Sequence, residues 1–516
     1  MERPRVRTLL FALLVSGTVL LTLEGVARLV AWVSPPAERG AAVGLHRSHP
    51  EHRLVILVGE STIFGVPVPR FGFVAQFRYL LDTYAPAARL EVHSIGVPGV
   101  PSERVRALAV SALEHAPDLL VVQCGHNEFR AVLPRSLFQR RAYDFALIGE
   151  MALLWRNLST FLDLGTKDAV SAVREPLPHR QDALRRHLTV YEENLRAIVT
   201  RAEARGVPLV LLTSTSNLAD WAPADLTFDA PGPPSAEELS VVRAKRALRE
   251  HRYEVVAELV GEGLRTWPED AWMHFLAGKL HLARGEYPAA KAALEQARDL
   301  DPIPLRALSP FNSVLRTLAT ENEKVLLLDL EELFRREAML PEVPGYELFC
   351  DFCHPSPLGN TLIARELVLS LSREGRLLEP GLELPPAEVL LNEYLRTRMT
   401  PTELAEFREK YLLDSARAAM VAPVRYLEGA AHFLEQLRRL APRSWKGVLN
   451  AGALALLEGK KEEGLRLVAA AIELRGKPLD RDMFRVAPCL EEGFRRVGLE
   501  VAEGQPRLST TASVIP

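Results

Sequence analysis

Five short apolar runs of strand length, spaced by longer stretches with helical periodicity, constrain this chain more than any other feature. The runs are LVILV (54–58), LEVHSI (90–95), DLLVVQC (118–124), VPLVLLTST (207–215) and KVLLLDL (324–330). Most are continuously apolar rather than alternating, which is how strands buried on both faces of a parallel sheet read. Between and after them lie FGFVAQFRYLLDTYA (71–85), SERVRALAVSALEHA (102–116), HLTVYEENLRAIVTRAEARG (187–206) and LGNTLIARELVLSLS (358–372), whose apolar residues recur at helical spacing. Strands alternating with helices predict an α/β fold with a doubly wound, five-stranded parallel sheet of flavodoxin-like type. Such sheets bind ligands at the carboxyl ends of their strands, so those ends are where chemistry is sought.

Four segments do not belong to that pattern. At the N-terminus, Arg3, Arg5 and Arg7 precede an uncharged run from 8 to 23, and apolar character continues to 33 with only Glu24 and Arg28 interrupting. Residues 8–33 would span roughly 39 Å as a helix at about 1.5 Å per residue, enough for a hydrocarbon core of about 30 Å. The expectation is a retained signal anchor with its basic end in the cytoplasm; a cleaved signal peptide and a buried soluble helix are the alternatives. The chain would then be single-pass and its remainder extracytoplasmic, periplasmic if the source is Gram-negative. Residues 34–49 read as a linker. A second segment, 129–165, carries a basic cluster followed by Phe145, Met151, Leu154, Trp155 and Phe161, and reads as an extra packed helix or as a lid beside the site.

The third segment repeats. A shift of 34 residues superposes Ala244 on Gly278, Tyr253 on Tyr287, Val256 on Ala290, Val260 on Leu294 and Pro268 on Pro302. That period and those small, aromatic and Pro positions resemble tetratricopeptide repeats. The fourth segment carries a weaker echo: Ala430, Leu434, Leu437 and Pro442, then Gly452, Gly464, Val468 and Ala471. The expected organisation is an anchor at 1–33, a linker at 34–49, and a catalytic domain at 50–220 and 304–376. A helical-repeat insertion at 221–303 interrupts that domain, and a helical C-terminal domain occupies 377–516.

The strand ends carry a particular set of residues. The first strand leads into Gly59-Glu60-Ser61-Thr62, the second into Ser94-Ile95-Gly96-Val97-Pro98-Gly99, the third into Gly125-His126-Asn127-Glu128. After the fifth comes Asp351-Phe352-Cys353-His354-Pro355. Singly these are ordinary: a Gly-x-Ser turn, an Asn in a loop, an Asp capping a helix, a loop histidine. Together they supply a nucleophile, a base, a group to orient the base, and oxyanion donors, the parts that acyl transfer needs.

At these residues the chain resembles the SGNH (GDSL-like) hydrolase family, whose four blocks match Gly59-Glu60-Ser61, Gly99, Gly125-x-Asn127 and Asp351-x-x-His354. The resemblance covers roughly 50–220 and 304–375. It implies that Ser61 attacks an ester carbonyl, His354 takes its proton and Asp351 orients the imidazole. The N–H groups of Ser61 and Gly99 and the amide of Asn127 would then receive the oxyanion. Glu60, Ser94 and Glu128 depart from the residues usual in the family, and Ser61 and His354 lie 293 positions apart. The repeat insertion accounts for part of that distance.

Competing chemistries find less support. No phosphate-binding Gly-x-x-x-x-Gly-Lys-Ser/Thr run is present, and no full dinucleotide fingerprint follows the first strand. Cys350, Cys353 and His354 lack a fourth ligand for zinc, so no metal or other cofactor is expected; a local disulfide between the two cysteines is a minor alternative. Cys124 reads as a small buried hydrophobe and His126 as a loop residue. A net charge of −3 with 63 basic and 66 acidic residues argues against nucleic acid as a partner. The expected function is a membrane-anchored extracytoplasmic serine esterase with a protein partner on its helical repeats. Transfer or removal of a small acyl group on a cell-surface polysaccharide is the alternative, and a non-catalytic repeat scaffold is the second.

Overall fold

A computed structural model describes residues 47, 49–130, 177–224, 235–420 and 426–499. Residues 8–33 of the expected anchor and all but the first two residues of the basic and apolar segment at 129–165 lie outside these. Among the described residues no helix is long and apolar enough to cross a membrane.

The five apolar runs form β1 (Arg53–Gly59), β2 (Leu90–Gly96), β3 (Leu119–Gln123), β4 (Leu209–Leu212) and β5 (Val325–Leu328). All pair in parallel, in the order β2-β1-β3-β4-β5. The chain thus steps outward from β1 to β2 and returns to β3 on the other side of β1, creating a switch point at the end of β1. Helices α1 (Ser61–Phe64), α2 (Phe73–Tyr84), α3 (Ser102–Leu113) and α4 (Leu177–Ala204) come before β4. Between β4 and β5 lie α5 (Ala236–Arg249), α6 (Tyr253–Thr266), α7 (Ala271–Ala283), α8 (Tyr287–Asp299) and α9 (Ser309–Glu321). Helices α10 (Leu330–Glu337) and α11 (Pro357–Arg373) follow β5.

Side chains alternate across the sheet and each face is covered. Val55, Leu57, Leu119, Val121, Val210 and Leu212 share one core cluster with residues of α2, α10 and α11. Leu54, Ile56, Val58, Leu120, Val122 and Leu211 share the other with residues of α3, α4 and α9. Fully burying one such aliphatic side chain is worth about 1.5–3 kcal/mol, so two-sided burial of β1 and β3 anchors the strands that carry the site. The sequence reading holds for the five strands and their order of helices, with differences at boundaries. Helix α4 begins ten residues before the run at 187. Strand β4 stops at Leu212 because Ser214 N–H donates to Asn312 Oδ1 of α9 (2.9 Å) rather than to a neighbouring strand.

The repeat region forms two helical hairpins, and Tyr253 and Tyr287 both open a second helix, α6 and α8. Ala244 and Val256 are wholly buried between α5 and α6. In the second hairpin a Cβ on Gly278 would lie 2.4 Å from Leu294 Cγ, so glycine sets how closely α7 approaches α8. Phe275 of α7 shares a buried cluster with Leu218, Ala219, Ala222 and Val343, so the hairpins lean on the loops of the sheet. The C-terminal helices are α12 (Ala387–Arg398), α13 (Pro401–Met420), α14 (Leu427–Leu440), α15 (Trp445–Leu457), α16 (Lys461–Arg475), α17 (Arg481–Val486) and α18 (Leu490–Arg496). The first of them belongs to the core of the sheet: Leu390 and Tyr394 sit in the cluster of α2 and α11.

Candidate active site

Strand register brings three loops to one level. Gly59, the last residue of β1, pairs with Gly96 at the end of β2 and with Gln123 at the end of β3. The residues after these positions are those singled out in the sequence. Glu60 is extended, and Ser61 opens the single turn of α1, closed by Gly65 N–H donating to Ser61 O (2.9 Å).

His354 arrives from a tight loop between α10 and α11. A bridge between Phe349 and Pro355 closes that loop, and Cys350 N–H donates to His354 O (2.9 Å). Asp351 organises its interior. Its Oδ1 accepts the backbone N–H groups of Cys353 (2.9 Å) and His354 (2.8 Å), and its Oδ2 lies 2.5 Å from His354 Nδ1. A carboxylate can only accept, so Nδ1 carries the proton and Nε2 of the neutral ring is an acceptor. That Nε2 lies 2.8 Å from Ser61 Oγ. Burial alone would raise the Asp351 carboxyl, but the His354 ring and these N–H donors hold it below the usual range. Ser61, Asp351 and His354 therefore form one hydrogen-bonded line.

Gly99 and Asn127 stand on the loops flanking Ser61. Val97 N–H donates to Gly59 O (3.0 Å), tying the loop after β2 to the end of β1. Gly99 follows Pro98 at φ 76, a left-handed conformation in which a side chain would be strained. Asn127 follows Gly125 and His126 on the loop after β3, and its backbone N–H and side-chain amide help hold the neighbouring Glu60 carboxyl down.

Three buried ionisable residues around the line were not assigned a role from sequence. Glu60 is fully buried, and its carboxylate accepts Gly125 N–H (2.9 Å) and His126 N–H (3.3 Å). Burial pushes this carboxyl up to about 7, against the opposing effect of its donors. Glu128 accepts from the backbone N–H (2.9 Å) and hydroxyl (2.7 Å) of Ser102 at the start of α3; burial, with the nearby Glu60, pushes it up to about 8. His126 is buried too, and its Nδ1 accepts Ala307 N–H (3.1 Å) from the segment following the repeat hairpins. Burial, and then the neighbouring His354, lowers it to about 3, which keeps it neutral. The only trace of the carboxylates in the sequence is their departure from the family pattern.

The Asp351 loop is also held from outside the sheet. Phe352 O accepts Asn217 N–H (3.0 Å), and its ring lies 5.6 Å from that of Trp221 and 5.8 Å from His354. Trp221 in turn shares a core with Leu412, Ala416 and Phe433 of α13 and α14. Asp351, Cys353 and His354 place donor atoms within 4.8 Å of one another. Both Asp351 oxygens and His354 Nδ1 are already engaged in the hydrogen bonds above, so the group does not offer an open metal site. None of the four cysteines forms a disulfide, and all are buried, so the Cys350–Cys353 alternative is not realised.

No protein-family model matches the chain, and no curated protein matches it. Among solved structures it is similar to an acetyl xylan esterase at 13% identity, a match that covers 61% of this chain and 98% of that one with a TM-score of 0.30. It is also similar to an alpha/beta hydrolase enzyme from the metagenome of Lake Arreo, Spain, at 15% identity, covering 63% of this chain and 96% of that one with a TM-score of 0.29. Likenesses this distant assign neither family nor activity to the chain.

Proposed function

We propose that this chain is a serine hydrolase of carboxylic esters acting through an acyl-enzyme, with an SGNH-type arrangement of Ser61, Gly99, Asn127, Asp351 and His354. The observation that carries the reading is the continuous line from Asp351 Oδ2 through His354 to Ser61 Oγ, at 2.5 Å and 2.8 Å. Ser61 Oγ attacks the carbonyl carbon as its proton passes to His354 Nε2. Asp351 stabilises the imidazolium and keeps it oriented. The oxyanion is received by the N–H groups of Ser61 and Gly99 and by the side-chain amide of Asn127. The tetrahedral intermediate collapses, the ester C–O bond breaks, and His354 returns the proton to the departing alcohol. Water then enters, loses a proton to His354, and releases the acid from Ser61.

The proposal includes membrane attachment through residues 8–33 and protein contact through the helical hairpins, on the sequence grounds given above. Its test is labelling with a fluorophosphonate, the native protein beside Ser61→Ala. The native serine should be covalently modified and the variant unmodified. Equal labelling of the two, or none of either when both are folded, sinks the reading.

A further inference from the structure

We infer that Glu128 is a positioning residue: bonded to Ser102, it holds Asn127 in place beside the loop that carries Gly99. The inference rests on the serine-hydrolase reading above. Asn127 stands between two anchored neighbours. On one side His126 N–H donates to Glu60 Oε2 (3.3 Å), and Glu60 precedes Ser61. On the other, Glu128 Oε1 accepts Ser102 N–H (2.9 Å) and Glu128 Oε2 lies 2.7 Å from Ser102 Oγ. Ser102 follows the Gly99 turn directly, after Val100 and Pro101. Each anchor therefore reaches a loop that carries another of the proposed oxyanion donors. Only the soft backbone dihedrals of the three residues are left to move Asn127 between them.

Ser102 is a firm point of attachment. It opens α3, whose Val105, Leu108, Ala109 and Ala112 are buried in the cluster that covers Leu54, Ile56 and Val58 of β1. Pro101 stands at the N-cap and makes no side-chain hydrogen bond, so Ser102 N–H at the helix start takes Glu128 as its partner. Ser102 Oγ also accepts an N–H of Asn194 Nδ2 (3.0 Å) from α4, so α3, α4 and the loop after β3 meet at one buried hydroxyl. The tie does not depend on the charge of Glu128. Ionised, the carboxylate accepts the hydroxyl hydrogen of Ser102; protonated, it donates to the hydroxyl oxygen, which keeps a lone pair beside the one taken by Asn194. The loop after β3 has less of its own to hold it, since Glu128–Arg130 make only a short 3-10 turn. Freed from Ser102 the loop can shift, and a misplacement of about 1 Å at a catalytic group costs about 10²-fold.

Two substitutions separate the tie from the charge. Glu128→Leu removes both bonds to Ser102, whereas Glu128→Gln keeps them, its amide oxygen facing the N–H and its NH2 the hydroxyl. With a small activated ester, Glu128→Leu should lower kcat by about 10- to 100-fold with KM within about threefold, since an oxyanion donor acts in the transition state. Glu128→Gln should stay within about threefold of the native kcat. Asn127→Ala alone should lower kcat by about 10²-fold. Adding Glu128→Leu to it should then cost less than about threefold, because Glu128 acts through an amide already absent. A general loosening of the fold would instead multiply with the loss of Asn127. Multiplying losses, a Glu128→Gln as impaired as Glu128→Leu, or a raised KM at unchanged kcat overturns the inference. Should Glu128→Leu melt too low to assay, Ser102→Ala carries the same cycle, with kcat about fivefold lower alone and less than about twofold lower beside Asn127→Ala. Ser61→Ala in the same series separates the two ideas. If it hydrolyses as fast as the native protein, the hydrolase reading fails; if it is inactive while the losses multiply, only the role of Glu128 does.

Discussion

Replacing Asp351 by Asn should inactivate the protein more completely than its conservative shape suggests. Two backbone N–H groups, of Cys353 and His354, point at Oδ1 at 2.9 Å and 2.8 Å, while Oδ2 faces His354 Nδ1 at 2.5 Å. In Asp351→Asn the amide oxygen must take the Oδ1 place, because an NH2 there would oppose two donors. The NH2 is thereby forced onto the Oδ2 side and donates to Nδ1. His354 then carries its proton on Nε2, the atom facing Ser61 Oγ at 2.8 Å, and cannot accept the serine proton. Wrong-tautomer variants of Ser-His-Asp sites lose about 10⁴ in kcat, or about 5 kcal/mol of transition-state stabilisation. Asp351→Ala imposes no tautomer but abandons two buried N–H groups, at about 1–3 kcal/mol each. The structure therefore predicts a crossing of rank. Asp351→Asn should be the more stable of the two in urea unfolding, yet no more active than Asp351→Ala in steady-state hydrolysis of an activated ester. An Asn variant within about tenfold of the native kcat would refute the tautomer argument, since it asks for about 10⁴.

Two further outcomes follow from the buried groups and the repeat hairpins. Glu60 and Glu128 titrate near 7 and 8 in the folded protein but at about 4.3 when unfolded, so the folded state holds protons the unfolded state has lost. Between about pH 6.5 and 8 stability should fall as pH rises, by about 2 kcal/mol; His126 and the half-buried His187 of α4, lowered by burial to about 3 and about 4 in the folded state but titrating at about 6.5 when unfolded, offset only part of that fall. Urea midpoints across that range should show it, and Glu128→Gln should flatten most of the slope. Gly278→Val should cost about 1–3 kcal/mol through overpacking against the buried Leu294, read as a lower thermal midpoint, while kcat on a small ester stays within about threefold of the native value because the hairpin carries no member of the hydrogen-bonded line; a midpoint unchanged or raised would show that α7 and α8 have slack.

The local pattern of the chain is enough to establish the strands, most of the helices and the candidate residues Ser61, Gly99, Asn127, Asp351 and His354. The reason is that strand burial and helix amphipathicity are written at short range, and the residues at strand ends follow from them. The 34-residue shift likewise marked Tyr253 and Tyr287 as equivalent, and both open helices. Helix α9 and the first ten residues of α4 escaped the reading, although Phe311, Leu315 and Leu318 of α9 are buried at helical spacing. What only the tertiary structure decided is which polar groups meet. Ser61 and His354 lie 293 residues apart and touch because α11 packs on α2, with Phe73 N–H donating to Asn360 Oδ1 (2.9 Å) and Gln76 Nε2 to Pro357 O (3.2 Å), which sets the loop before α11 beside the end of β1. Glu60 looked like a neutral departure from a family pattern, yet it receives N–H groups from a loop more than sixty residues onward. His126 is held by Ala307, beyond the repeat hairpins. A carboxylate's burial, and the donors that make it tolerable, depend on segments distant in sequence that arrive together only when the sheet closes.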